Sequence, residues 1–173
     1  LYVRGGSMFY EARYPEAQPL LDKHAELYKE STWRAQALYY QAGNLVKMLE
    51  WKKASGLLDT WLEKYTESEL RPFALLDRGT CHFMENENEP ALKMVKELEE
   101  KHGGSGILDP ALNLKGNVHQ NKGEPAEAET AYLKAKEIAE AEGHAPIAVE
   151  SIIQLVGVLT KLERYEDAVK FYE

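Results

Sequence analysis

Residues 112–143 read LNLKGNVHQNKGEPAEAETAYLKAKEIAEAEG, and this stretch decides the fold. Leu112, Gly116 and His119 are spaced four and three residues apart, as they would be on one face of an α-helix. The segment 121–125, NKGEP, then supplies a glycine suited to end a helix and a proline suited to begin one. The residues that follow are mostly strong helix formers. The stretch therefore predicts two antiparallel helices joined by a tight turn.

The same pattern recurs along the chain of 173 residues. Five alanines mark units that are 37, 37, 37 and 40 residues apart: Ala17, Ala54, Ala91, Ala128 and Ala168. Four positions after each alanine stands a large apolar residue: Leu21, Leu58, Val95, Tyr132 and Tyr172. In the first four units a small residue stands eleven or twelve positions before the alanine: Gly6, Ala42, Gly79 and Gly116. The last unit has Val156 at this position, next to Gly157. Three landmarks in register over five units indicate a helical repeat.

The repeat predicts an all-α chain, because alternation of apolar and polar residues with period two is scarce. We expect about ten helices, over approximately 1–11, 15–30, 33–48, 51–65, 70–85, 88–102, 109–121, 125–142, 146–162 and 166–173. We expect one domain, 1–173, with repeat units of approximately 1–34, 35–71, 72–108, 109–148 and 149–173. Gly116 and Ala128 are expected where the two helices of the fourth unit approach each other most closely.

These landmarks resemble the tetratricopeptide repeat family over essentially the whole chain. The best match is 109–140, through Leu112, Gly116, Gly123, Ala128, Tyr132 and Ala135. Lys115 stands where the family has leucine and His119 where it has tyrosine, and the units exceed the family's usual length of about 34 residues. The resemblance implies a right-handed α-solenoid of about five helix-turn-helix repeats, whose first helices line a concave face that binds a protein or peptide.

Composition excludes some classes of function. Lys plus Arg number 21 against 29 Asp plus Glu, a net charge of −8, whereas nucleic-acid binding rests on clustered basic residues. Cys81 is the only cysteine, so no intrachain disulfide can form. No apolar run is long enough to predict insertion into a membrane. The compartment stays open between cytoplasm and periplasm.

A search for catalytic motifs predicts that the chain is not an enzyme and holds no cofactor or metal. HExxH, GxxxxGK[ST], CxxC and GxSxG are all absent from the sequence. Cys81 and His82 are adjacent, but neighbours on a helix point about 100° apart and do not form an activated pair. His82 and His119 occupy equivalent positions in successive repeats, and a metal site there would need further ligands.

The resemblance also implies where a partner would bind. On the expected concave face, the first half of the chain offers aromatic side chains: Tyr10, Tyr39, Tyr40, Phe73 and Phe83. The fourth repeat offers amides instead: Asn113, Asn117 and Gln120. Aromatic residues are common interface anchors, and amides can bond an extended peptide backbone whatever its side chains. The alternatives are packing between neighbouring helices for the aromatic residues and a merely polar surface for the amides.

Three hypotheses for function follow. The first is a non-enzymatic scaffold that binds a protein or peptide partner in the concave groove. The second is the sensor or regulatory solenoid of a larger signalling or transcription regulator. The third is self-association through uncapped repeat ends, since the sequence starts within a predicted first helix and stops within a predicted second one. We expect the natural protein to extend beyond this sequence.

Overall fold

The computed structural model describes residues 1–104 and 106–171, and 79% of these residues are helical. No strand occurs in the described residues, so the predicted all-α fold of helical repeats is confirmed. The helices are α1 Tyr2–Tyr10, α2 Tyr14–Leu27, α3 Arg34–Lys47, α4 Trp51–Lys64, α5 Arg71–Met84, α6 Asn88–Lys101, α7 Leu108–Lys122, α8 Pro125–Glu142, α9 Ala145–Lys161 and α10 Tyr165–Val169. The predicted landmark Tyr172 lies outside the described residues.

The chain forms two compact units, residues 1–85 with α1 to α5 and residues 86–173 with α6 to α10. In unit 1 each helix packs on the next, and α3 also contacts both α1 and α5. The second helices α2 and α4 do not contact each other through their described residues. The first helices of unit 1 therefore form the tighter, inner layer. In unit 2 the first helices α7 and α9 contact each other in the same way.

The second helix of each repeat carries the core at the predicted positions. The alanine landmarks Ala17, Ala54, Ala91 and Ala128 are completely buried. So are the large residues four positions later: Leu21, Leu58, Val95 and Tyr132. Trp61 adds a further anchor in unit 1, since its indole Nε1 donates a hydrogen bond of 2.7 Å to the carbonyl of Ala35. Burial of these side chains holds each second helix against its neighbours.

The small residue of the first repeat is Gly5 rather than the predicted Gly6. A Cβ added at Gly5 would lie 3.0 Å from Cγ of Leu21, whereas one added at Gly6 would meet nothing within 4 Å. Gly5 also stands 37 residues before Ala42, so the spacing of the repeat holds from the first unit onward. Two adjacent glycines concealed this register in the sequence.

Each turn between a first and a second helix contains one residue in the left-handed region. Gly123 has φ of 74°, and four other residues of the described chain take the same conformation without being glycine: Ala12 at 57°, Leu49 at 63°, Asn86 at 61° and Glu163 at 60°. These five positions recur at the repeat spacing of 37 and 40 residues. The turn is therefore dictated by the geometry of the hairpin, and side chains are tolerated there at a cost in strain.

Candidate partner-binding surface

Three of the predicted aromatic residues come together on the inner layer of unit 1. The hydroxyl groups of Tyr10 and Tyr40 share a hydrogen bond of 2.7 Å, and their ring centroids are 5.8 Å apart. The rings of Tyr39 and Tyr40 are 5.6 Å apart. Tyr10, on α1, is 75% exposed, and the other two, on α3, are half-buried. We call Tyr10, Tyr39 and Tyr40 the tyrosine cluster.

Phe73 and Phe83 lie apart from the tyrosine cluster, although both are on α5. Phe73 stands near the start of the helix and is 40% exposed, whereas Phe83 stands near its end and is half-buried. Neither ring has an aromatic contact with the cluster in the described part of the chain. The five aromatic residues therefore do not form one cluster of contacting rings.

Sequence analysis missed two aromatic residues that support the tyrosine cluster. The ring of Phe9 lies 5.5 Å from that of Tyr40, and the ring of Tyr2 lies 6.1 Å from it on a second side. Both residues are on α1. Spacing along α1 does not show which residues of the next repeat the helix contacts, so these two contacts had no signal in the sequence.

A carboxylate also lies beside the tyrosine cluster. The hydroxyl of Tyr39 donates a hydrogen bond of 3.2 Å to Oδ2 of Asp77, on α5. Burial raises the pKa of Asp77 from 3.8 to about 6, although the positive charge of Lys47 and the hydrogen bond from Tyr39 lower it in part. The cluster therefore has an acidic edge that changes its charge in mildly acidic solution. Asp77 stands 37 residues after Tyr40, and this equivalent position could have identified it.

The predicted amides of the fourth repeat make internal hydrogen bonds in unit 2. Oδ1 of Asn117 accepts a hydrogen bond of 2.7 Å from the hydroxyl of Tyr132. Nε2 of Gln120 donates one of 2.9 Å to the same hydroxyl and a longer one, 3.4 Å, to Oε1 of Gln154. Burial raises the pKa of Tyr132 to about 12, so its phenol stays protonated and able to donate. Asn117 and Gln120 are both half-buried and keep part of their surface open.

Asn113 corrects the prediction of an open row of three amides. Its side chain is only 5% exposed, and its Oδ1 accepts a hydrogen bond of 2.8 Å from the hydroxyl of Ser151 on α9. The reason is that α9 packs against α7 and covers this position. Elsewhere on α9, the apolar side chains of Val149 and Ile153 are 56% and 63% exposed.

A shallow cleft adjoins Gln120 at the C-terminal ends of α7 and α9. It has a volume of about 230 Å³ and is lined by Gln120, Gly123, Pro125, Val158, Lys161 and Leu162. Nζ of Lys161 lies 3.4 Å from Oε1 of Gln120. The cleft offers an amide and an ammonium group over an apolar floor, which suits a peptide segment better than a large cofactor.

Cys81 has no features of an activated nucleophile. The residue is completely buried in the core of unit 1. Burial raises the pKa of its thiol to about 11, which opposes formation of the thiolate.

Across the described residues, no helix combines the length and the apolar character that a bilayer crossing requires.

Potential metal ligands meet in unit 2, where sequence analysis predicted none. Asp109, Glu142 and His144 each present one ligand atom, and these atoms lie within 4.8 Å of one another. Asp109 is in the first turn of α7, Glu142 ends α8 and His144 precedes α9. Because they come from the ends of three helices, no short sequence motif connects them.

Comparisons with known proteins include a family match to the C-terminal part of the chain. Residues 108–173 match the sequence model described as tetratricopeptide repeat. No curated protein sequence matches the chain significantly. Solved structures, however, match nearly its full length.

Three solved structures illustrate the shared fold. The crystal structure of a Rap protein complexed with competence and sporulation factor matches with a TM-score of 0.82 at 20% identity, over 99% of this chain and 50% of that one. PilF of Pseudomonas aeruginosa matches with a TM-score of 0.77 at 17% identity, over 99% and 71%. MamA matches with a TM-score of 0.72 at 16% identity, over 97% and 90%. The chain thus spans about half the length of the Rap protein.

At these identities the structures show the fold alone, and the fold is one of protein-interaction scaffolds in general. Residues 108–173 thus match the tetratricopeptide repeat family, and the helical hairpins that precede them share the fold of the solved structures.

Proposed function

We propose that the chain is a non-enzymatic scaffold that binds a protein or peptide segment along the inner helices of its repeats. The observation that carries this proposal is the tyrosine cluster of unit 1. Tyr10 projects from α1 with three quarters of its surface exposed, while its hydroxyl is held by that of Tyr40. A ring already fixed by its neighbours loses little side-chain entropy on binding, which suits an interface anchor.

The amides of unit 2 support the same function more weakly. Asn117 and Gln120 are half-buried and bonded to Tyr132, so they are fixed in place before a partner arrives. The exposed side chain of Ile153 provides apolar area on the neighbouring inner helix α9. A partner on this surface would gain from burying Ile153 and from the remaining hydrogen-bonding capacity of the amides.

The proposal is tested with peptides selected by the chain itself from a random library displayed on phage. We expect Tyr10→Ala to weaken binding of the selected peptides by tenfold or more, a typical effect for an aromatic anchor of about 1.4 kcal/mol or greater. Tyr165→Ala is the matched control, because Tyr165 is 59% exposed but lies on the second helix α10. Equal affinities of both variants and the unmodified chain would exclude the tyrosine cluster as the binding surface.

A peptide-sensing role within a larger regulator is a second candidate, favoured by the match to the Rap protein in complex with competence and sporulation factor. An output domain in the full-length protein, such as a helix-turn-helix or kinase domain, would support this role. A full-length protein made of repeats alone would argue against it. Sedimentation at several concentrations separates both roles from self-association, because only self-association gives a mass that rises with concentration.

A further inference from the structure

The meeting point of α7, α8 and α9 in unit 2 has the geometry of a metal site. Nδ1 of His144 lies 2.8 Å from Oδ2 of Asp109 and 3.7 Å from Oε2 of Glu142. Ligand atoms around a tetrahedral zinc ion are about 3.3–3.5 Å apart, given bonds of about 2.0–2.2 Å. One of these separations is close to that value, and the other reaches it when the hydrogen bond between His144 and Asp109 opens by about half an ångström.

The carboxylate of Asp109 is buried, and only one of its two oxygens is paired. Its side chain is completely buried, yet Oδ1 has no hydrogen-bond partner. The amide nitrogen of Asn113, one turn further along α7, has none either, so the two groups do not satisfy each other. A buried carboxylate is normally paired or bound to a metal, because the loss of hydration is otherwise uncompensated. His144 contacts only the other oxygen.

The opposite side of the cluster is open to solvent. The side chains of His144 and Glu142 are 37% and 39% exposed, so an ion has a route in and a coordination position left for water. One imidazole nitrogen with two carboxylate oxygens is a donor set that suits zinc, whereas calcium and magnesium favour oxygen ligands throughout. A metal ion binds an unprotonated imidazole nitrogen, so zinc would take the place of the hydrogen bond between Nδ1 of His144 and Asp109.

We propose that Asp109, Glu142 and His144 form a zinc site that ties together the ends of α7, α8 and α9. The site uses none of the residues of the partner-binding surface, so the proposed function and the zinc site can be tested independently. Its role is structural: one ion fastens the start of α7, the end of α8 and the turn into α9.

Unit 2 contains a natural control for this site. Nδ1 of His119 lies 2.7 Å from Oε2 of Glu124, much as His144 pairs with Asp109. The ammonium group of Lys122, however, lies 3.2 Å from Oε1 of the same Glu124 and repels a second cation. A histidine–carboxylate pair alone therefore does not make a zinc site, and His119→Ala serves as the matched variant.

The test is a calorimetric titration of the full chain with Zn²⁺, repeated with Co²⁺ to record the visible absorption of a tetrahedral site. We expect one ion per chain, a melting temperature that rises with Zn²⁺ and falls again with EDTA, and affinity reduced about tenfold or more in His144→Ala and Glu142→Gln. Glu142→Gln changes an exposed side chain and is expected to fold, so it keeps the test decisive even if His144→Ala, which removes the partner of the buried Asp109, is destabilised. Unchanged binding in both, no binding by the unmodified chain, or an equal loss in His119→Ala would overturn the proposal.

Discussion

The ring of Tyr132 lies directly against the backbone of Gly116, and a Cβ at that position would stand 2.6 Å from Cζ of the ring. The phenol is completely buried, and its hydroxyl is held by Asn117 and Gln120. It cannot move aside without breaking these hydrogen bonds. The ring of Tyr132 thus leaves no room for a side chain at position 116. Here α8 contacts α7 through an aromatic ring packed on the glycine backbone.

Gly116→Ala should therefore destabilise the protein by about 1–3 kcal/mol, as overpacking of a dense core does. The measurement is the free energy of unfolding in urea. Gly6→Ala is the control, because its Cβ would meet nothing within 4 Å and alanine favours a helix by about 1 kcal/mol over glycine. A Gly116→Ala variant as stable as the parent would mean that the Tyr132 ring is free to shift.

Leu49→Gly should stabilise the protein, against the usual effect of glycine. Leu49 has φ of 63° and is 66% exposed, so the substitution relieves left-handed strain and gives up little buried area. Strain of about 1–2 kcal/mol is partly offset by the greater entropy of glycine in the unfolded chain, which leaves a gain of up to about 1 kcal/mol. Thermal unfolding measures it.

Leu27→Gly is the matched control for this effect. Leu27 is 56% exposed and lies at the end of α2 in a right-handed conformation, where glycine should cost about 0.5–1 kcal/mol. If both substitutions destabilise the protein equally, the turn at Leu49 is not strained.

Several features of the fold could be read from spacing alone. The landmarks Ala128 and Tyr132 recur at a fixed interval because every second helix must bury the same stripe, and burial leaves a strong signal in residue type. The turn conformation at Leu49 left no such signal. The left-handed conformation at Leu49 is imposed by the hairpin and not by the leucine side chain. In the sequence, this leucine therefore looks like any other exposed residue.

The candidate surface was harder to predict, because exposure depends on neighbouring helices rather than on one helix. Asn113 shares a helix face with Asn117, yet the packing of α9 buries the first and leaves the second half-open. Similarly, Gly116 was expected at the close approach of α7 and α8, but spacing did not identify the ring of Tyr132 as the group it contacts. Helical periodicity gives the face of a residue, but the size of its partner across the interface is set by tertiary packing.

The charge on Asp77 should cost stability at neutral pH. Its pKa is raised from 3.8 to about 6, first by burial, so the folded protein keeps the proton over a range in which the unfolded chain has lost it. The free energy of unfolding contributed by this group is therefore highest below pH 3.8 and falls as the pH rises to about 6. Lys47 and Tyr39 already lessen the shift.

Asp77→Asn removes this dependence, and Oδ1 of asparagine can still accept the hydrogen bond from Tyr39. Relative to the parent, we expect the free energy of unfolding of the variant to rise by roughly 1–2 kcal/mol between pH 4 and pH 7. This change is somewhat less than the shift of the Asp77 pKa implies, because the side chain is only half-buried. Urea unfolding at the two pH values measures the difference. The exposed Asp22 provides the control, and an Asp22→Asn difference of equal size would show that net charge rather than Asp77 is responsible.

Asn117→Ala should act on both stability and partner binding. Its Oδ1 accepts the hydrogen bond of the buried Tyr132 hydroxyl, so truncation should cost about 0.5–1.5 kcal/mol in unfolding free energy. If the open part of the amide also bonds a partner backbone, affinity for the selected peptides falls several-fold. Stability loss by itself could mimic this result by loosening the end of α7.

Tyr132→Phe separates the two effects, because it removes the internal hydrogen bonds to Asn117 and Gln120 and leaves both amides in place. We expect both variants to unfold more easily but only Asn117→Ala to bind the selected peptides more weakly. Glu137→Ala, an exposed change on the second helix α8, should alter neither property. If Tyr132→Phe weakens binding as much as Asn117→Ala, the amide acts through the packing of α7 and α8, and the partner does not touch it.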